Sequence, residues 1–320
     1  MKVSVALCTY NGEKYIVEQL DSILNQTKPV DEIVICDDIS TDGTHDIIYQ
    51  YCSKFPNIIK FHINDVNLKS VKNFEKAISL CTGDVIFLSD QDDIWLPEKV
   101  ADIVHHFELN PQTSVVATNG NCIDENSELI EDFLVWDVPQ LFIDKKIHLD
   151  YYYLISCFFN IATGATMAIR SKFINECVPF PLIPNFHHDE WIARVACSKG
   201  QFSFLPKKYI YYRLHDAQQV GGIIYESDEE SKIELLNLLD LTNYEITFFE
   251  FKRRIKRLCT GYNNNKKLAQ FDVSSDVFNN TLSKICNLVE NYKLNMKKKY
   301  PISAFFLNYT DKILNKRQLN

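Results

Sequence analysis

The sequence predicts an α/β fold in which an open sheet presents polar residues along one edge. Three observations predict it. Short apolar runs alternate with stretches of helical spacing through the first hundred residues. The apolar runs at Val3, Glu32 and Val85 each lead into polar or acidic residues. No internal repeat, long Gly/Ser linker or low-complexity tract interrupts the pattern.

The elements follow in order. Val3-Ser-Val-Ala-Leu7 alternates into a strand, and Cys8-Thr-Tyr-Asn-Gly-Glu13 follows as a turn. Residues 14–25 carry helical spacing, with Ile16, Leu20, Ile23 and Leu24 on one side. Glu32-Ile-Val-Ile-Cys36 is a second strand ending in Asp37-Asp38, and Ser40-Thr-Asp-Gly-Thr44 is a turn and helix entry. Together these make a βαβ unit with a polar upper edge. A third strand is expected near Ile58 to Ile63 and a helix from Asn73 to Leu80. Val85-Ile-Phe-Leu88 is a short buried strand that delivers Asp90, Asp92 and Asp93 to the same edge. Further on, Tyr209-Ile-Tyr-Tyr212 predicts a strand, and a helix is expected from about Asp189 to Lys199.

Three carboxylates at a strand's C-terminal end form a hard, oxygen-rich site. It suits Mg²⁺ or Mn²⁺ bridged to a phosphate better than Zn²⁺. Ligands of open α/β sheets sit at that end of the strands. The competing reading is a solvated acidic turn.

The chain of 320 residues is 46% hydrophobic, ample for one large domain or two modest ones. It enters a strand at once, so no cleavable signal is expected. Ten cysteines include no Cys-x-x-Cys pair, which predicts reduced thiols and a cytoplasmic protein. The most hydrophobic window, Tyr151 to Ile169, is 19 residues without a charge. Its three tyrosines, Ser156, Asn160 and Thr163 argue for a buried helix end rather than a membrane span. A Thr-Gly turn into a strand from Ala165 to Ile169 should follow.

Charge is uneven. Residues 251–320 hold 15 Lys/Arg against 4 Asp/Glu, whereas residues 1–250 hold 19 against 38. Lys252-Arg-Arg-Ile-Lys-Arg257 is the densest basic patch. Phe248, Phe251, Ile255 and Leu258 share one face of that predicted helix. It reads either as a helix on an anionic membrane surface, at the cytoplasmic face of the inner membrane, or as a surface helix packed on the domain. No recognised nucleic-acid motif accompanies the charge, so no nucleic-acid partner is expected.

The first segments together resemble a family 2 glycosyltransferase. They are Val3-Ser-Val-Ala-Leu-Cys-Thr-Tyr-Asn-Gly-Glu-Lys-Tyr15, Leu20-Asp-Ser-Ile-Leu-Asn-Gln-Thr27, Ile33-Val-Ile-Cys-Asp-Asp38 and Ser89-Asp-Gln-Asp-Asp-Ile-Trp95. His188-Asp-Glu-Trp191 and Tyr212-Arg-Leu-His215 also match, and the whole resemblance spans roughly residues 1–222. The Asp-Gln-Asp-Asp-Ile-Trp and Tyr-Arg-x-His forms are similar to the bacterial rhamnosyltransferase-like branch, which builds surface polysaccharides.

The resemblance implies a GT-A domain over residues 1–225. This is a Rossmann-like, nucleotide-sugar-binding mixed sheet flanked by helices, followed by a mostly helical, basic region over 226–320. It implies an inverting, metal-dependent transfer from a UDP- or dTDP-sugar to a hydroxyl of a glycan acceptor, lipid-linked in the membrane reading. For rhamnose the donor would be dTDP-rhamnose.

The resemblance also assigns roles. Thr9, Tyr10, Asn11 and Glu13 would receive the nucleotide's base and ribose, with the alternative of a plain Asn-Gly turn. Asp38 would accept the pyrimidine N3–H, or else cap the next helix. Relatives commonly carry Gly after the Asp pair. Here Ile39 resists a positive φ, so a different bend is expected and the choice between Asp37 and Asp38 stays open. Asn73 lies beside Lys69 and Lys72, either of which would help neutralise the diphosphate; relatives often have Gly where Lys69 stands.

Asp92 would ligate Mn²⁺ or Mg²⁺, and Asp90 would serve the ribose or a metal-bound water, with Asp93 orienting either. The ion would act as a Lewis acid on the leaving nucleoside diphosphate. Asp189 would be the general base, with Glu190 as rival and a helix N-cap as the structural alternative. His215 would be a second metal ligand and Arg213 a clamp on a phosphate oxygen. Gln218 and Gln219 stand where relatives often have Asn, and Gly221-Gly222 supplies loop freedom.

Two other functions compete. A sugar-1-phosphate nucleotidyltransferase would open with a Gly-rich, basic loop, which Thr9-Tyr-Asn-Gly-Glu-Lys14 is not. A non-catalytic binding protein would have lost Asp38, Asp92 and Asp189, all of which are present.

Overall fold

A computed structural model of the chain describes residues 1–215, 224–225, 228–268, 275–314 and 316–319. Gln218, Gln219, Gly221 and Gly222 lie outside the described residues. Two compact units emerge: Met1–Lys145 with Ile161–Tyr225, and Lys146–Asn160 with Glu226–Asn320.

The chain begins β1 (Val3–Thr9), α1 (Ile16–Leu24), β2 (Glu32–Asp37), α2 (Thr44–Lys54), β3 (Ile59–Ile63), α3 (Lys69–Leu80) and β4 (Val85–Ser89). It continues β5 (Ile94–Trp95), α4 (Lys99–Leu109), β6 (Val115–Ile123), β7 (Leu129–Ile130), β8 (Phe133–Leu134) and α5 (Val138–Asp144). Next come α6 (Tyr151–Tyr153), β9 (Ala168–Arg170), α7 (Ser171–Ile174), α8 (His188–Ser198), β10 (Phe202–Arg213) and β11 (Ile224–Tyr225). Four helices close the chain: α9 (Glu229–Leu239), α10 (Phe248–Leu268), α11 (Ser275–Lys299) and α12 (Pro301–Leu314).

The first unit is organised on a mixed sheet with strand order β3-β2-β1-β4-β9-β6-β10-β5; β7 adds to β6. β3, β2, β1 and β4 are parallel. β9 runs antiparallel to both β4 and β6, and β5 antiparallel to β10. A strand buried on both faces reads as a continuous apolar run, and β1 and β4 do: Val3, Val5, Leu7, Val85, Phe87 and Leu88 are fully buried. α1 covers the sheet with Ile16, Leu20 and Ile23, all at 0% exposure, which is the stripe the spacing predicts.

Two stretches differ from expectation. The strand expected at Ala165 to Ile169 is shorter and later, at Ala168–Arg170, because Gly164–Thr166 forms a 3-10 turn first. Before it, α6 passes into a π-helical turn at Leu154–Phe158, and no helix among the described residues is long and apolar enough to cross a membrane. No disulfide forms among the described residues.

Ile39 overturns the expectation of a different bend. It takes φ +66°, the conformation that a glycine would supply, and Lys69 takes φ +62° in the same way. A β-branched residue there costs roughly 1–2 kcal/mol against the right-handed region. Ile39→Gly is therefore expected to stabilise the protein by about 0.5–1 kcal/mol, net of glycine's backbone entropy. Urea unfolding checks it; an unchanged or lowered midpoint would contradict the strain.

In the second unit α10 packs on α11. Phe251, Ile255 and Leu258 are at most 2% exposed and share a core with Ile285, Val289 and Tyr292. This corrects the reading of α10 as a helix lying on a membrane: its apolar face is already covered. Arg254, counted above as part of an exposed basic patch, is 1% exposed and donates to the Asp240 and Asn243 carbonyls and to the Tyr292 hydroxyl.

Candidate functional site

Strand order reverses at β1, where β2 lies to one side and β4 to the other. In doubly wound sheets the loops that leave such a point diverge and open a crevice at the carboxyl edge. Here those loops are 10–13, 38–43 and 90–93, following β1, β2 and β4.

The first two loops are stapled together. Asp37 is fully buried and accepts from the Thr9 hydroxyl (2.6 Å), the Ser40 amide and hydroxyl (2.8 and 2.6 Å) and His45 Nε2 (2.7 Å). Burial pushes the Asp37 carboxyl up, but the bonds from Ser40, Thr9 and His45 together hold it below its ordinary value. Asp37 is thus the loop's internal anchor, and the Thr9 hydroxyl is spent on it. Asn11 accepts from the Thr41 amide, and Glu13 from the Gly43 amide at 2.6 Å. Tyr10 is 47% exposed, with its ring open to solvent and its backbone held by Gln91 at 2.8 and 3.0 Å. A Cβ on Gly12 would meet the end of the Gln91 side chain and displace it from its present place.

Asp38 faces the other way. Its carboxylate accepts from Asn64 (2.9 Å) and from the Leu68 and Lys69 amides (2.6 and 2.9 Å). Both aspartates are buried and hydrogen-bonded, so the choice between them stays open; Asp37 is bonded to the loops after β1 and β2, and Asp38 to the entry of α3. Asn73 is 2% exposed and bridges Asn64 to the Cys36 carbonyl, bracing this loop from beneath.

The third loop concentrates charge. Burial first, then Asp92 and Asp189, push the Asp90 carboxyl up to about 7. Asp93 is 1% exposed and is pushed well above the carboxylate range by burial and by Asp92 and Asp90; its Oδ2 has no hydrogen-bond partner. Lys99 offsets part of this from below. It is fully buried, donates to the Ala165 carbonyl at 2.7 Å and lies 3.9 Å over the Trp95 ring. Burial lowers it to about 7 against the fields of Asp93 and Asp90.

β10 brings Arg213 and His215 to this loop. Arg213 was expected on a phosphate, but the structure buries it to 1% and engages it elsewhere. Its guanidinium donates to the Asp92 and Asp124 carbonyls, the Ser127 hydroxyl and Glu18 (2.6 Å), and packs 4.4 Å over the Tyr15 ring. Its amide donates to Asp93 at 3.1 Å. Arg213 therefore shapes the backbone that carries Asp92. His215 Nε2 lies 2.9 Å from Asp92 Oδ2, with its ring against Tyr15 at 5.2 Å.

Asp189 enters from the first turn of α8. Its Oδ2 accepts from the Gly164 amide (2.9 Å) and its Oδ1 from the Glu190 amide (2.6 Å). It is near enough to Asp90 to raise it. The rival Glu190 is ion-paired to Arg194 one turn along the same helix. His188 is stacked on Phe74 at 4.1 Å, and burial holds it down to about 4.

The donor set fits a hard divalent ion. Two cis ligands of an octahedral ion, each about 2.1 Å away, lie about 3 Å apart. The separation of Asp92 Oδ2 and His215 Nε2 is 2.9 Å. No group of three or more metal-ligating side chains forms among the described residues. Asp93 Oδ2, without a hydrogen-bond partner among the described residues, and the elevation of both Asp90 and Asp93 by burial and by Asp92 mark carboxyl groups whose ionisation such an ion would favour.

Sequence reasoning missed Gln91, Lys99 and the Gly164 amide. Gln91 stood inside the acidic motif, but only the fold shows that it clamps Tyr10. Lys99 carried no signal, because its cationic role follows from burial. A backbone donor such as Gly164 N–H leaves no side-chain trace.

The family model described as glycosyl transferase family 2 matches residues 4–174. An uncharacterised glycosyltransferase of Nostoc is 28% identical over 251 residues, covering 78% of this chain and 76% of that protein. A dTDP-rhamnosyl transferase of Shigella flexneri is 30% identical over 238 residues, covering 68% and 74%. Among solved structures, S. aureus TarS 1–349 with UDP-GlcNAc has a TM-score of 0.59 at 20% identity, covering 99% of this chain and 90% of that one. GalNAc-T7 with UDP, GalNAc and Mn²⁺ has a TM-score of 0.54 at 15% identity, covering 67% and 44%.

Proposed function

The chain belongs to glycosyl transferase family 2, and from that premise we propose that it is an inverting, divalent-metal-dependent enzyme. It would move a sugar from a UDP- or dTDP-sugar to a hydroxyl of a glycan acceptor in bacterial surface polysaccharide synthesis. The observation that carries this reading is the meeting of the Asp90–Asp93 loop, His215 and Asp189 at one sheet edge.

In this reading Tyr10, Asn11, Glu13 and Asp38 receive the nucleoside, and Asp92 and His215 would hold Mn²⁺ or Mg²⁺. When bound, the ion offsets the negative charge that grows on the leaving diphosphate. Asp189 takes the proton of the acceptor hydroxyl as that oxygen attacks the anomeric carbon. The Gly164 amide fixes its rotamer. Attack from the face opposite the leaving group inverts the anomeric centre. A relative named as a dTDP-rhamnosyl transferase supports dTDP-rhamnose as a donor to test.

The test is a screen of nucleotide sugars with Mn²⁺ and a glycan acceptor, with product identification. Free nucleoside diphosphate is expected. Pyrophosphate would favour a nucleotidyltransferase, and no turnover with any donor would favour a binding protein on the same fold.

A further inference from the structure

We infer that the outward face of α12, bordered by lysines, docks on an anionic lipid bilayer; this rests on the proposed transfer to a glycan acceptor, taken here as lipid-linked. An ordinary surface helix buries its apolar stripe and shows polar residues to water. α12 does not. Ala304 and Leu307 already face inward, yet Ile302, Phe305, Phe306, Tyr309 and Ile313 are 62–73% exposed. They fall at i, i+3, i+4, i+7 and i+11, one continuous stripe on the opposite side. The Phe305 and Phe306 rings meet edge-on at 5.7 Å in solvent. Contiguous exposed apolar surface of this kind marks an interaction site.

Charge selects the occupant. Lys297 and Lys298 lie just before the helix and Lys312 in its last turn, while Lys299 is ion-paired to Glu245. Two residues past its end, Lys316 lines a cavity of about 700 Å³ together with Lys252 and Lys256. None of those three forms an ion pair among the described residues. A twofold contact between copies would turn a lysine border towards itself. An anionic bilayer neutralises that border, while aromatic side chains enter the interface.

The experiment uses the full chain with vesicles of phosphatidylcholine plus phosphatidylglycerol and of phosphatidylcholine alone. The wild type should float with the anionic vesicles and be released by salt. Phe305→Ser with Phe306→Ser should weaken partitioning roughly a hundredfold. Its melting temperature and its turnover on a water-soluble acceptor should stay unchanged, since both rings are already in solvent. Phe305→Trp should show a blue-shifted emission on vesicles.

Equal flotation of the double variant, or no flotation of the wild type, would overturn the proposal. So would a wild-type dimer by light scattering that the double variant splits without any vesicle binding. Vesicle binding by a chain that releases no nucleoside diphosphate would leave the docking surface standing and remove the proposed transfer reaction. Transfer without vesicle binding would do the reverse.

Discussion

Asp189→Asn is expected to lower the turnover number by about 10²–10⁴, the usual contribution of a positioned proton acceptor. The fold should survive. Asparagine's oxygen can still accept from the Gly164 amide, the contact that holds the side chain now. Affinity for the donor should change little, because the proton in question belongs to the acceptor. Steady-state kinetics together with calorimetric donor binding check both halves. Normal transfer by this variant, with Glu190→Gln inactive, would move the base to Glu190. The structure weighs against that outcome, since Glu190 is tied to Arg194.

Asp92→Asn should cost about a hundredfold or more in turnover and raise the Mn²⁺ concentration needed for half-maximal rate. An amide is a far weaker ligand than a carboxylate, and His215 alone would remain at 2.9 Å from the vacated position. The backbone around residue 92 should hold, because Arg213 grips the Asp92 carbonyl and not its side chain. Rate against Mn²⁺ concentration is the measurement. Wild-type turnover in the variant, or full wild-type activity in excess EDTA, would contradict a metal at this site.

Much of this was legible in the sequence, for identifiable reasons. β1, β2 and β4 are buried on both faces, and such strands spell themselves as apolar runs; the acidic ends of β2 and β4 then announced the edge. The pieces that were not legible depend on contacts far apart in sequence. Arg213 looked like a phosphate clamp because guanidinium and phosphate suit one another chemically. Its bonds to Glu18, Asp124 and Ser127 exist only once β10 lies beside β6. Ile39 was read from its own preference, and the surrounding hydrogen bonds at Asp37 and Asp38 overrode it. α10 was judged amphipathic, which is correct, but periodicity cannot say whether an apolar face meets protein or lipid. α11 meets it here.

The central claim is that the carboxylates at this sheet edge hold a divalent ion with the diphosphate of a sugar donor. Calorimetric titration of UDP and dTDP into the chain, with Mn²⁺ and again with EDTA, tests it most directly. At least one nucleotide should bind with Mn²⁺, and its affinity should fall roughly tenfold or more in EDTA and likewise in Asp92→Asn. Binding of equal strength in EDTA, or in Asp92→Asn with Mn²⁺ present, would contradict the account.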